Sequence, residues 1–203
     1  MVAQPLTAFL SYPHERLDQA REIYNFLRSV GVSVWVDKES LIGGQQWDRE
    51  RASAQSRADL AILVCSSEAF SRDGVIHREI KDAVNRCRNT PLGHICLVPV
   101  RIEEISLPDE LSDYHYVDFF RPDWQFQLAR SLDLKFQQSN LQPPGALTEF
   151  IRVLENAGGI ALKTLKNSDA SFEAEANYLC IKKRVCFGAS LIPKSHLSFS
   201  EGF

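Results

Sequence analysis

Leu60-Ala61-Ile62-Leu63-Val64-Cys65 is the longest unbroken apolar run in this chain of 203 residues. A strand that is apolar at every position is covered on both faces, which is the habit of parallel sheets. Upstream of it, Thr7-Ala8-Phe9-Leu10-Ser11 is short and apolar, as a buried strand is. From Glu15 to Ser29 the apolar residues Leu17, Ala20, Ile23, Phe26 and Leu27, followed by Val30, mark one face of a helix, and Gly31 stops it. Val32 to Asp37 is β-branched and reads as a second strand. The segment Lys38–Gln46 is a loop carrying Gly43-Gly44, and a charged helix follows over Trp47–Arg57.

Downstream, Ser66–Gly74 reads as a polar loop. Val75–Arg88 has a helical pattern, with Val75, Ile76, Ile80 and Val84 on one side. Ile95–Val100 is a fourth strand, Tyr116–Phe119 a short fifth, and Trp124–Phe136 a closing helix. Strands and helices alternating with short connections predict a doubly wound, parallel α/β sheet of about five strands with right-handed crossovers. The expected domain therefore spans 1–138. Residues 139–146 form a polar, proline-broken linker, and 147–203 a small α+β extension whose balance of 7 basic and 6 acidic residues differs from the acidic first part. Within it, Leu147–Asn156 is expected to be a short helix ended by Gly158-Gly159. A second helix is expected over Ser171–Arg184 and a strand over Val185–Phe187.

Composition narrows the function. Hydrophobic residues make up 44% and charged residues 24%, ordinary for a globular protein. A net charge of −3 argues against direct nucleic-acid binding. No apolar run approaches the roughly 20 residues that cross a bilayer. The start, Met-Val-Ala-Gln-Pro, has neither a secretory h-region nor a Met-Gly acylation site. The expected location is cytoplasmic, without a membrane. The five cysteines contain no Cys-x-x-Cys pair, so free thiols are expected and no metal site.

Open α/β sheets bind ligands beyond the carboxyl ends of their strands. Ser11-Tyr12-Pro13-His14, Asp37-Lys38-Glu39 and Ser66-Ser67 fall there. No P-loop, no Gly-x-Gly-x-x-Gly, no Gly-x-Ser-x-Gly and no His-Glu-x-x-His is present. A response-regulator receiver fails as well, because Ser11-Tyr12 and Cys65-Ser66 stand where it needs acidic residues.

Five motifs in order remain: Phe9-Leu10-Ser11-Tyr12, Trp35-Val36-Asp37, Leu41-Ile42-Gly43-Gly44 before Trp47, Leu63-Val64-Cys65-Ser66, and Val75-Ile76-His77-Arg78-Glu79-Ile80. Together, over residues 6 to about 136, they resemble a Toll/interleukin-1 receptor (TIR) domain, which implies a flavodoxin-like sheet. In the branch of that family that cleaves NAD, one glutamate on the helix after strand three is essential, and Glu79 stands at that position. A lone carboxylate suits the chemistry. Nicotinamide leaves neutral, so what needs stabilising is the oxocarbenium character of the ribose. The resemblance implies a substrate site formed by Phe9, Ser11, Tyr12, Asp37, Lys38, Gly44, Trp47 and Ser66, with NAD⁺ as substrate rather than cofactor.

Other readings of single residues stay open. Trp47 either packs its helix or walls the nicotinamide or adenine, and Asp37 either caps a turn or binds. Phe9 belongs in large part to the core, as does Trp35. His77 and the triplet Lys182-Lys183-Arg184 read as exposed helix positions. Two positions depart from many bacterial NAD-cleaving members: Val75 replaces a tryptophan four residues before the glutamate, and Pro13 replaces a basic residue. The resemblance also implies activation by self-association in bacterial immune or antiphage defence signalling, with residues 147–203 docking a regulatory partner or ligand. The alternatives are a non-catalytic TIR adaptor and a nucleoside N-glycosidase or deoxyribosyltransferase.

Overall fold

The computed structural model describes residues 5–36, 46–71 and 75–167. The strands are β1 (Thr7–Ser11), β2 (Ser33–Trp35), β3 (Leu60–Cys65), β4 (Leu97–Arg101) and β5 (Val117–Asp118). The helices are α1 (Leu17–Ser29), α2 (Trp47–Arg57), α3 (Ser67–Ser71), α4 (Val75–Arg88), α5 (Trp124–Gln138) and α6 (Gly145–Asn167). All strand pairs are parallel, in the order β2-β1-β3-β4-β5. Sequence order thus reverses at β1, whose neighbours are β2 and β3. That reversal opens a crevice at the carboxyl ends of β1 and β3, where such sheets take their ligands.

The period of two in β1 and β3 divides the core. Ala8, Leu10, Ile62 and Val64 pack with Ile23, Phe26 and Leu27 of α1 and Trp124, Leu128, Leu132 and Phe136 of α5. On the other face Ala61, Leu63 and Cys65 pack with Ile80, Ala83 and Val84 of α4, and Phe9 packs with Ala54 of α2 and with Ala58 just after it. Ser11 has the parity of Phe9, so it faces the α2–α4 layer. Every position of β3 is buried, as its unbroken apolar pattern requires.

Several sequence expectations change. The supposed loop after β3 contains α3, a single short helix. Two helices end in hydrogen-bonded caps: Gly31 (φ +86°) closes α1 and Asn140 (φ +51°) closes α5. In each, the next residue's amide donates five residues back, from Val32 to Leu27 O and from Leu141 to Phe136 O. α6 does not stop at Gly158-Gly159 but continues to Asn167. A helical glycine costs only about 1 kcal/mol relative to alanine, which the regular flanking sequence outweighs.

The first compact unit runs to Ile151, past the expected boundary at 138. Leu147 is fully buried in the α1–α5 core, and Phe150 sits edge-on to Phe26 at 5.3 Å. The second unit begins at Arg152. The helix expected over Ser171–Arg184 and the strand expected over Val185–Phe187 lie outside the described residues.

The expectation of free thiols holds for Cys65 but not for Cys87 and Cys96, which form a disulfide with their Cα atoms 5.5 Å apart. The last turn of α4 and the approach to β4 bring them together, a proximity that no spacing motif encodes. Burial pushes the Cys65 thiol up to about 12, which leaves it protonated and inert at neutral pH.

Candidate functional site at the carboxyl edge of the sheet

Glu79 is the centre of a buried polar cluster. It lies one position before Ile80 on α4, so the packing that sinks Ile80, Ala83 and Val84 against β3 turns Glu79 toward the end of β1. The residue is 5% exposed, which removes the ordinary reading of a solvated helical glutamate. The Ser11 hydroxyl donates to Glu79 Oε2. Arg51 Nη1 donates to Glu79 Oε1 at 3.1 Å, a pair buried on both sides. Gln55 Nε2 donates to the Glu79 main-chain oxygen at 2.9 Å.

Arg51 and Gln55 went unrecognised in the sequence, although a signal for them was present. Arg51, Ala54, Gln55 and Ala58 fall at the i, i+3, i+4, i+7 spacing of a helix's buried face, and all four are buried. An arginine and a glutamine on that stripe must find polar partners inside. Glu79 supplies them.

The other expected site residues spread differently. Phe9 is core, stacked on Trp35 with ring centroids 5.1 Å apart. Tyr12 is half-buried and packs on the α1–α5 side. Ser66 is fully buried, and its hydroxyl accepts from the Ala69 amide at 3.2 Å, so it caps α3. Trp47 opens α2. Asp37, Lys38 and Gly44 lie outside the described residues. The structure therefore unites Glu79 with Ser11 and adds Arg51 and Gln55.

A second polar tie rims the same edge. Glu103 accepts from the Ser67 hydroxyl and amide, both at 2.6 Å, and pairs with Arg16 at 3.5 Å. The Ser67 hydroxyl bond is the main reason its carboxyl lies below the usual range. Further along, Asp118 pairs with Arg101 at 2.6 Å and with Arg121 at 3.1 Å, while the Arg101 guanidinium covers the Tyr116 ring at 3.7 Å. Among the described residues no cluster of histidine, cysteine or carboxylate side chains could hold a metal ion. No helix among them is long and apolar enough to cross a membrane.

A family model described as TIR domain matches residues 8–132. The chain belongs to the TIR family. The TIR domain of the Toll-related receptor TRR-2 from Hydra magnipapillata has a similar structure, with a TM-score of 0.51 at 16% identity over 63% of this chain and 97% of that one. A prokaryotic SEFIR domain gives a TM-score of 0.48 at 17% identity, covering 70% of this chain and 98% of that chain. The TIR domains of the activated Roq1 resistosome, which directly recognises the pathogen effector XopQ, give 0.39 at 15% identity, covering 88% and 84%. At 16% identity the likeness to the Hydra domain speaks for the fold alone, and no curated protein matches the sequence. TIR domains include both NAD-cleaving enzymes and adaptors.

Proposed function

We propose that this TIR domain is an NAD⁺ nucleosidase whose catalytic residue is Glu79 and whose site is completed by self-association. One observation carries the reading. A carboxylate at the family's catalytic position is buried at the point where strand order reverses, joined to the serine that ends β1. The substrate would enter beyond the ends of β1 and β3. In the reaction the bond between ribose C1′ and the nicotinamide nitrogen breaks, and its electron pair neutralises the pyridinium. Positive charge develops on the ribose, and Glu79 stabilises it while accepting hydrogen bonds from the ribose hydroxyls. Water then adds to C1′ and loses a proton, giving ADP-ribose, or an adenine nitrogen adds instead to give a cyclic isomer. Ser11 holds the carboxylate, and the loops bearing Asp37, Lys38 and Gly44, with Trp47, would line the substrate.

The test is nicotinamide release from NAD⁺ by wild type and Glu79→Gln, followed by chromatography. Loss of one catalytic group is expected to lower the rate by about a hundredfold or more. An Arg51→Met/Glu79→Gln double variant, with both buried charges removed, serves as a folded inactive control. A wild type that leaves NAD⁺ intact when concentrated would favour the adaptor reading. Cleavage of free nucleosides but not NAD⁺ would favour the nucleoside glycosidase.

A further inference from the structure

Both carboxylate oxygens of Glu79 are occupied, Oε2 by the Ser11 hydroxyl and Oε1 by the Arg51 guanidinium. The residue is 5% exposed. A carboxylate that stabilises a ribose must bring an oxygen within about 2.6–3.2 Å of it. Each oxygen keeps a further lone pair, but the group is buried beneath these contacts, so no ribose reaches Glu79 in this arrangement. The cover over it has to give way.

The helix that supplies the Arg51 contact is built differently from its neighbours. α1 buries Ile23, Phe26 and Leu27, whereas the buried stripe of α2 is Arg51, Ala54 and Gln55, continued by Ala58 just past its end. Its apolar contribution to the small cluster around Phe9 is two alanine methyl groups. Among the described residues, its links to α4 are polar. Arg51 reaches the Glu79 carboxylate, Gln55 Nε2 the Glu79 main-chain oxygen, and Arg86 Nη1 donates to the Gln55 main-chain oxygen at 2.6 Å. Polar contacts of this kind exchange with water at small net cost, unlike buried leucine or phenylalanine. The Gln55 side-chain oxygen, moreover, is buried with no hydrogen-bond partner, so this arrangement leaves one polar group unsatisfied.

We propose that Arg51 and Gln55 form a releasable clamp on α2 that holds Glu79 in a resting state closed to substrate, and that the site opens when α2 lets go of α4. The substrate class rests on the NAD⁺ reading above; the closed state of Glu79 does not. Arg51 is then a restraining residue and not part of the chemistry. Its guanidinium lies against one of the two carboxylate oxygens and helps keep the group buried. Self-association would act on this equilibrium by favouring the released form.

Carboxyl labelling separates the two ideas. The dilute protein is treated briefly with a water-soluble carbodiimide and glycine ethyl ester. Modification of Glu79 is then read by peptide mass spectrometry against the exposed Glu22. NAD⁺ cleavage is measured in parallel at the same concentration. The variants are Arg51→Gln and Gln55→Leu. The second also removes the partnerless buried oxygen and so keeps the test alive should Arg51→Gln fail to fold.

Wild-type Glu79 is expected to be strongly protected. Losing the Gln55 contact should raise its labelling about threefold to tenfold, the shift in open population that one neutral hydrogen bond supports, and losing the buried charge of Arg51 should raise it further. Cleavage in dilute protein should rise in the same ratio. If labelling rises but no form cleaves NAD⁺, the clamp stands and the substrate reading falls. Wild-type Glu79 labelling as fast as Glu22, or unchanged in folded variants, would overturn the clamp. So would faster labelling with slower cleavage, because Arg51 would then be aligning Glu79 for the reaction.

Discussion

Glu79 and Arg51 form an ion pair whose side chains are 7% and 3% exposed. Such a pair adds little stability relative to a well-packed apolar replacement, but breaking it from one side leaves a buried charge without its counterpart. Arg51→Met is therefore expected to destabilise the fold by about 3–5 kcal/mol. Adding Glu79→Gln should recover about 2 kcal/mol of that, as contacting residues couple rather than add. Denaturant unfolding of the four proteins in the cycle measures both. Additive losses would mean that the two charges do not depend on each other. Glu79 was legible in the sequence through its place in a series of motifs. Arg51 was not, because a charged residue on a charged helix looks solvated until the stripe 51-54-55-58 is laid against the sheet.

At the scale of elements, the caps show where local sequence decides. Gly31 was readable as the stop of α1, since a left-handed residue after a helix is most often glycine. Asn140 performs the same task for α5 inside a stretch that reads as a featureless polar linker, because its backbone hydrogen bonds leave no periodic trace. Gly31 also carries a packing constraint: a Cβ there would lie 2.8 Å from the Pro144 Cβ. Gly93 has a similar φ of +81° but open space around it. Gly31→Ala is thus expected to cost about 1–3 kcal/mol, more than Gly93→Ala, which carries only the backbone strain. Equal shifts in Tm for the two variants would show that the contact with Pro144 contributes nothing.

At the scale of the whole molecule, the parallel sheet and its two covered faces follow from patterns visible in the chain, and the strand order agrees with what the resemblance to a TIR domain implies. A fully apolar β3, alternating faces on β1 and amphipathic α1 and α4 leave little choice of architecture. The outer boundary did not follow. The proline-broken segment 139–146 reads as a linker, yet it returns the chain to the core and buries Leu147. Only tertiary packing reveals that. Leu147→Ala is expected to cost about 2–5 kcal/mol, as for other fully buried leucines. A chain ending at residue 143 should lose thermal stability that a chain ending at residue 157 keeps. Equal Tm values for the two truncations would remove Leu147 and Phe150 from the core.

The most direct test of a Glu79 nucleosidase completed by self-association is the order of NAD⁺ loss in protein concentration. Initial rates would be followed by chromatography for wild type from dilute to crowded solution, beside Glu79→Gln. The expected result is a wild-type rate that rises more steeply than linearly with concentration and vanishes in the variant. A strictly linear rate would contradict completion by neighbouring copies. Cleavage undiminished in folded Glu79→Gln would contradict the catalytic assignment itself.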